Sequence, residues 1–173
     1  MATLVEINEA LIRSYINRAV GDVFRTMLGR VPSSSHHADT PDGARLQSLD
    51  GTRPQVVGTV GFVGEINGLI YLHLDLAFAR LCTSHLLGMS DAELDEAGED
   101  VINDAIGELT NMTVGTFKNA LCDSGYPCKL TIPSIVRGSN FVIEPISSAT
   151  RHIYYFECEQ HRVVADILIQ KDE

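Results

Sequence analysis

The stretch DVINDAIGELTNMTVGTFKNAL, residues 100–121, decides the fold class of this chain. Asp104, Glu108 and Asn111 follow one another within it at intervals of four and three residues, which places their polar side chains on one face of an α-helix. The remaining face is apolar and carries Val101, Ile102, Ala105, Ile106, Leu109, Met112 and Phe117. The stretch therefore predicts a long amphipathic helix that buries one side in a core and presents a polar stripe to solvent.

The polar stripe pairs a carboxylate with a carboxamide one helical turn apart. On a rigid helix, the Glu108 and Asn111 side chains could orient a water molecule or bind a cation on another protein. Spacing alone does not separate these uses from a solvated stripe on a core helix, because Glu-x-x-Asn occurs by chance in many helices. A second feature accompanies the stripe: Pro133 stands 22 residues after Asn111, in the apolar run KLTIPSIV.

The helix and the proline together resemble the signature of the CheC/CheX/FliY family of chemotaxis phosphatases. The family pattern is Asp or Ser, three residues, Glu, two residues, Asn, about 22 residues and Pro. Asp104, Glu108 and Asn111 match it, and 21 residues separate Asn111 from Pro133, one fewer than in the pattern. The opening segment INEALIRSYINRAVGDVFRTMLG, residues 7–29, is similar to the first helix of CheX proteins. The resemblance, closest to CheX, extends over nearly the whole chain.

The first helix also carries a weak echo of the signature helix. Aligning Asn17 with Asn111 places Ser14 at the position of Glu108. CheC-type relatives have two active helices, so the resemblance implies that this chain keeps one active helix and a remnant of the other. Chance similarity between two amphipathic helices is the alternative explanation of this pseudo-repeat.

The family resemblance implies an enzyme that hydrolyses the aspartyl phosphate of a CheY-type response regulator in chemotaxis signalling. In that reaction Asn111 would orient the attacking water, and Glu108 would dock on the active-site lysine of the regulator. Asp104 and Pro133 are expected to support the interface. The protein needs no cofactor of its own, since Mg²⁺ is expected in the partner. Relatives pair sheet edges to form dimers, so a homodimer is expected.

Two other functions are compatible with the same residues. One is a non-catalytic CheX-like module that binds a response regulator or a flagellar component. The other is a metal or hydrolase site built on Asp104 and Glu108, which is disfavoured because no His or third carboxylate joins them at ligand spacing.

Composition limits the class of protein further. A chain of 173 residues with 45% hydrophobic and 21% charged residues is typical of one globular domain, here expected over residues 1–173. The net charge of −10 argues against nucleic acid and anionic membranes as partners, since both attract clustered Lys and Arg. The four cysteines show no Cys-x-x-Cys spacing, and no basic segment precedes an apolar run at the start. These features predict a reduced, cytoplasmic protein.

Two further helical segments are predicted outside the signature helix. Apolar residues recur at helical intervals over residues 4–29, and a shorter helix is expected at 76–87. Ser90 followed by Glu93 predicts a capping box that opens a charged turn.

Strand patterns fill most of the remaining sequence. Asn67-Gly68 predicts the turn of a β-hairpin between strands at 55–66 and 69–76. The glycines of the first of these strands, Gly58 among them, indicate a bulge or a close approach of another element. Further strands are expected at 129–137, 140–145, 152–158 and 163–170. The prediction is therefore an α+β fold with three helices and five or six strands, in which long helices pack on a CheC-like antiparallel sheet.

Residues 32–53 are polar and rich in Ser, Asp, Gly and Pro, which predicts a surface loop. His36 and His37 lie in it. A metal site there is disfavoured, because no carboxylate or cysteine constellation accompanies the two histidines.

Overall fold

A computed structural model describes residues 6–35, 53–140, 142–145 and 148–170 of the chain. Within these residues four helices are present: α1 (Glu9–Leu28), α2 (Leu76–Leu87), α3 (Asp91–Ala97) and α4 (Glu99–Asp123). The strands are β1 (Ser33–Ser35), β2 (Gln55–Gly64), β3 (Gly68–Asp75), β4 (Cys128–Leu130), β5 (Ser134–Gly138), β6 (Ala149–Cys158) and β7 (His161–Gln170). The predicted α+β class is confirmed.

The described strands form one antiparallel sheet in the order β1-β6-β7-β3-β2-β4, and β5 pairs with β2 beyond the end of β4. The long helices pack against one face of this sheet, where alternate residues of each strand point into the core. The rings of Phe62 on β2 and Phe117 on α4 lie 5.9 Å apart between centroids, and both side chains are fully buried. Helix α4 therefore packs directly on the central strands.

Local capping decides where the first two helices begin and end. The side chain of Asn8 accepts a hydrogen bond from the Leu11 amide at 3.0 Å, so α1 begins at Glu9 and not at residue 4. Gly29, with φ of 62°, ends it in the left-handed conformation. The second helix matches its predicted bounds, because Asp75 caps the Phe78 amide at 2.7 Å.

The acidic segment before α4 forms a helix of its own. The predicted capping box is present, since Ser90 and Glu93 exchange side-chain hydrogen bonds with each other's amides. The charged turn expected there continues as α3 until Gly98, where a φ of 84° breaks the helix. The structure therefore adds a fourth helix to the three predicted.

The predicted hairpin is confirmed, but its turn is not at Asn67-Gly68. The turn lies at residues 65–67 and is closed by a hydrogen bond from the Gly64 amide to Asn67 Oδ1 at 3.1 Å, whereas Gly68 already belongs to β3 and pairs with Phe62. Two other strand predictions are wrong. The strand expected at 129–137 is divided into β4 and β5. Residues 140 and 142–145 are not in a strand, because Asn140 has a φ of 57° and turns the chain.

The start of the predicted 32–53 loop is a short edge strand, since β1 pairs with β6. Residues 36–52, which include His36 and His37, lie outside the described residues.

The sheet face opposite the helices carries a buried ion pair. Arg151 Nε and Nη2 donate to the two carboxylate oxygens of Asp166 at 2.9 and 2.7 Å. His73 on β3 is 98% buried on the same face, and burial together with the nearby Arg151 lowers the pKa of His73 to about 4.

The buried His73 should make stability depend on pH. In the unfolded chain a histidine is protonated below about pH 6.5, whereas folded His73 stays neutral down to about pH 4. Its contribution is therefore complete above pH 6.5 and is lost as the pH falls towards 4, amounting to about 2 kcal/mol of unfolding free energy between pH 7 and 5. Urea titrations of wild type and His73→Gln at both pH values measure it. An equal pH effect in the two proteins would contradict the assignment to His73.

Candidate functional site

Helix α4 presents the predicted polar stripe. Its apolar side is buried at Ile102, Ala105, Ile106, Leu109, Val114, Phe117 and Leu121. Asp104 and Glu108 are exposed, and Asn111 is half-buried. Across the part of the chain that the structure describes, no hydrogen bond or ion pair engages these three side chains. Their polar atoms are thus available to a partner.

The signature helix lies unusually close to β2. A Cβ atom placed on Gly58 would lie 1.9 Å from Oγ1 and 2.8 Å from Cβ of Thr110. Thr110 is fully buried, and its hydroxyl donates to the carbonyl of Ile106 at 2.7 Å, so it brings no unpaired polar group to the contact. The predicted close approach to the glycine-rich strand is confirmed at Gly58. The contact fixes the distance between α4 and β2 at Thr110, the residue before Asn111.

Both ends of the helix are also held. Arg137 on β5 pairs with Glu99 in the first turn of α4, with Nη1 and Oε2 2.9 Å apart. At the other end, the hydroxyls of Tyr15 on α1 and Ser124 are hydrogen-bonded. Contacts at the start, middle and end of α4 therefore hold the helix backbone that carries the stripe. The contribution at the start is small, since Glu99 is 81% exposed.

A β-bulge lies between β4 and β5. Leu130 pairs with Phe62 and Ser134 pairs with Thr59, so the three residues 131–133 lie opposite two residues of β2. An antiparallel pair with one extra residue on one strand is a β-bulge, which redirects side chains and occurs often beside active sites. The local signal for this bulge is Pro133, since proline within a strand occurs at an edge or at a bulge.

Thr131 holds the bulge in place. Its amide donates to the Gly61 carbonyl at 2.9 Å, and its Oγ1 accepts from the Gly61 amide at 2.8 Å. Ile132 and Pro133 consequently share the position opposite Val60. One of the two must leave the regular alternation, and it is Ile132, whose side chain is 87% exposed.

The bulged segment runs beside the polar stripe. A Cβ atom on Gly107 would lie 4.0 Å from Cβ of Pro133, and one on Gly115 would lie 3.6 Å from Cδ1 of Leu130. Asn111 stands four residues from each glycine, about 6 Å along the helix axis in either direction. The structure thus brings Pro133 next to Gly107, the residue before Glu108, and places the bulge level with Asn111 along the helix axis.

The echo on the first helix does not join this site. Ser14 is exposed and Asn17 is half-buried on α1, a separate helix that packs beside α4 through the rings of Tyr15 and Phe117. Among the described residues no group of three or more His, Cys, Asp or Glu side chains could hold a metal ion. A site made of Asp104 and Glu108 alone would lack a third ligand.

Residues 56–157 match the family model described as Chemotaxis phosphatase CheX. The chain belongs to the CheX family. The matched residues include α4 and the bulge, so this CheX-family chain has its polar stripe within the part that defines the family. A search of curated proteins found no match.

Solved structures show the same fold. The chemotaxis protein CheX from Desulfovibrio desulfuricans is 22% identical with a TM-score of 0.73, over 92% of this chain and 99% of that one. A putative chemotaxis protein from Desulfovibrio vulgaris Hildenborough is 20% identical with a TM-score of 0.76, over 95% and 100%. The CheX of a CheX-CheY-BeF3-Mg complex from Borrelia burgdorferi is 20% identical with a TM-score of 0.67, over 96% and 100%. Within the described residues, no helix has the length and apolar character needed to cross a membrane.

Proposed function

We propose that this chain hydrolyses the aspartyl phosphate of a CheY-type response regulator. The observation that carries the proposal is the unengaged pair of Glu108 and Asn111, one turn apart on a helix that the sheet holds rigidly. Membership of a phosphatase family supports it. So does the Borrelia burgdorferi relative, which was crystallised with CheY, BeF3 and Mg²⁺.

Hydrolysis of an acyl phosphate requires a water molecule in line with the scissile bond and neutralisation of the developing negative charge. The regulator supplies the charge neutralisation through its own Mg²⁺ and lysine. A positioned nucleophile is then the missing part. The amide oxygen of Asn111 can accept a hydrogen bond from the water, which orients a water lone pair towards phosphorus. Positioning of this kind can lower a barrier by several kcal/mol.

Glu108 is better suited to docking than to base catalysis. As a general base it would have to approach a phosphoryl group that already carries negative charge. As a docking group it pairs with the partner's lysine, and this charge-assisted contact sets the position of Asn111 relative to the phosphoryl group. Asp104 is exposed one turn earlier and adds negative charge to the same surface. Pro133 shapes the strand segment beside it.

A phosphate-release assay tests the proposal. Phosphorylated regulators encoded in the same genome are incubated with the protein, and the rate of phosphate release is compared with the regulator alone. Accelerated release from at least one regulator is expected. Binding without acceleration would instead identify the non-catalytic binding module. The absence of both binding and acceleration with every regulator tested would refute the proposal.

We also propose that the protein is a symmetric homodimer formed through a sheet edge. Strand β7 lies inside the sheet, between β3 and β6, so it presents no edge. Strand β6 does, because β1 pairs with only its last part, residues 155–157, and no other described strand covers residues 149–154 on that side. An edge that is unpaired among the described strands favours pairing with another chain.

Light scattering should give about twice the chain mass of 18.9 kDa at high micromolar concentration. A single-chain mass across the concentration series would contradict the dimer. It would leave the proposed catalysis untouched, because each chain carries its own Glu108 and Asn111.

A further inference from the structure

Ile132 is the most exposed large apolar side chain among the described residues, at 87%. Its exposed position is fixed by the surrounding backbone and does not result from a loose loop. The two hydrogen bonds between Thr131 and Gly61 fix the residue before it, and the ring of Pro133 restricts the backbone after it. A bulge that holds an apolar side chain out of the sheet, beside an unengaged polar pair, suggests a contact made with a partner.

The position of Ile132 selects the partner. Along the helix axis it stands level with Asn111, because Leu130 and Pro133, which flank the bulge, lie against the glycines one turn on either side of that residue. A protein that brings an acyl phosphate to Asn111 would therefore approach the bulge that carries Ile132. An apolar contact at Ile132 would add to the charged contact that Glu108 makes with the regulator.

We propose that Ile132 is an apolar contact residue for the phosphorylated receiver domain of the regulator, seated next to the lysine that Glu108 binds. This inference rests on the proposed function and adds a residue to its interface. Ile132 touches no reacting atom in this scheme. It contributes binding and alignment: the contact excludes water from one flank of the Asn111 amide and orients the two proteins before chemistry.

Ile132→Ala and Ile132→Asp test the inference against a control at the opposite sheet edge, Val31→Ala and Val31→Asp. Val31 is 65% exposed and lies two residues before the start of β1. The probe is the regulator activated with beryllofluoride and Mg²⁺. Ile132→Ala should weaken binding about tenfold, and Ile132→Asp about 100-fold, because the apolar contact is lost and its carboxylate would be desolvated at the interface. The Val31 variants should bind like wild type.

Single-turnover kinetics distinguish a role in binding from a purely structural role. For Ile132→Ala the regulator concentration at half-maximal rate should rise about tenfold, while the rate at saturation changes by less than about twofold. The melting temperature should not change, since the side chain is exposed. Unchanged binding by Ile132→Asp would overturn the inference while the proposed function stands. A loss of dimer mass in that variant would also overturn it, because a second copy would then cover Ile132. Failure of the wild type to bind any activated regulator would refute both.

Discussion

The Asn111→Ala variant is expected to bind the phosphorylated regulator with near wild-type affinity and to lose its accelerated phosphate release. The rate should fall by about 100-fold or more, towards that of the regulator alone, because removal of one preorganised hydrogen-bonding group at a reacting centre has an effect of this size. Affinity is kept because the docking carboxylate of Glu108 is untouched. Single-turnover dephosphorylation and binding to the beryllofluoride-activated regulator measure the two quantities separately.

Glu108→Ala should behave differently from Asn111→Ala. It removes a charge that pairs with a desolvated lysine, so both affinity and turnover should fall, the affinity by about tenfold or more. The contrast between the two variants is the diagnostic result. A variant that loses affinity as well as turnover identifies a docking residue, and one that loses turnover alone identifies a residue that positions the water.

Three control substitutions test whether the loss of activity is specific to Asn111. Asn119→Ala makes the same chemical change two turns further along α4, at an exposed position outside the motif. Ser14→Ala and Asn17→Ala alter the echo on α1, which lacks the glutamate. All three should dephosphorylate the regulator like wild type. If Asn111→Ala itself retained the wild-type rate, water positioning would be the wrong mechanism and a docking module would be the better explanation.

The elements that sequence predicted well are those whose boundaries depend on local chemistry. The hairpin between β2 and β3, the capping box of Ser90 and Glu93, and the amphipathic period of α4 each arise within a few residues. Their bounds therefore agree with the structure to within a few positions. The polar stripe follows from the same helical period.

The strand predictions are wrong where residues distant in the sequence determine the structure. The sequence over residues 129–137 predicts one strand, although Pro133 within it is a local signal for a strand edge or a bulge. The register of the bulge depends on the pairing of Thr131 with Gly61, a residue 70 positions earlier. A register of this kind is set by the partner strand and leaves little trace in the local pattern. Ile132 was missed for this reason. A single apolar residue in an apolar run carries no signal that it points into water.

The contact between Gly58 and Thr110 depends on both a local sequence signal and a contact between distant residues. The sequence marks β2 as unusually rich in glycine, which weakens a strand and therefore requires a reason. The structure supplies the reason at Gly58, where the backbone of β2 faces the buried Thr110 of α4 with no room for a methyl group. The absence of one side chain thus sets the distance between the sheet and the helix that carries Glu108 and Asn111.

Gly58→Ala is accordingly expected to be among the most destabilising single-methyl changes in this chain. Strand propensity favours alanine over glycine by less than about 1 kcal/mol, but the new Cβ would lie 1.9 Å from Thr110 Oγ1 and 2.8 Å from Thr110 Cβ. Buried Thr110 cannot swing away into solvent, so α4 must shift. Overpacking of this kind costs about 3 kcal/mol, which corresponds to a fall of about 10 °C in melting temperature. Binding of the activated regulator should weaken as well, because the stripe moves with the helix.

Two further variants show whether the clash is the cause. Gly21→Ala places a methyl group on α1 where no heavy atom lies within 4 Å, so it should raise the melting temperature slightly, since alanine is favoured over glycine in a helix by about 1 kcal/mol. The double variant Gly58→Ala/Thr110→Ala removes the Thr110 Oγ1 and Cγ2 atoms that the new methyl group would meet at 1.9 and 3.0 Å. It should melt at a higher temperature than Gly58→Ala alone, yet below wild type, because the 2.8 Å approach to the Cβ atom of residue 110 remains. Equal melting temperatures for wild type and Gly58→Ala would mean that α4 does not depend on this contact for its position.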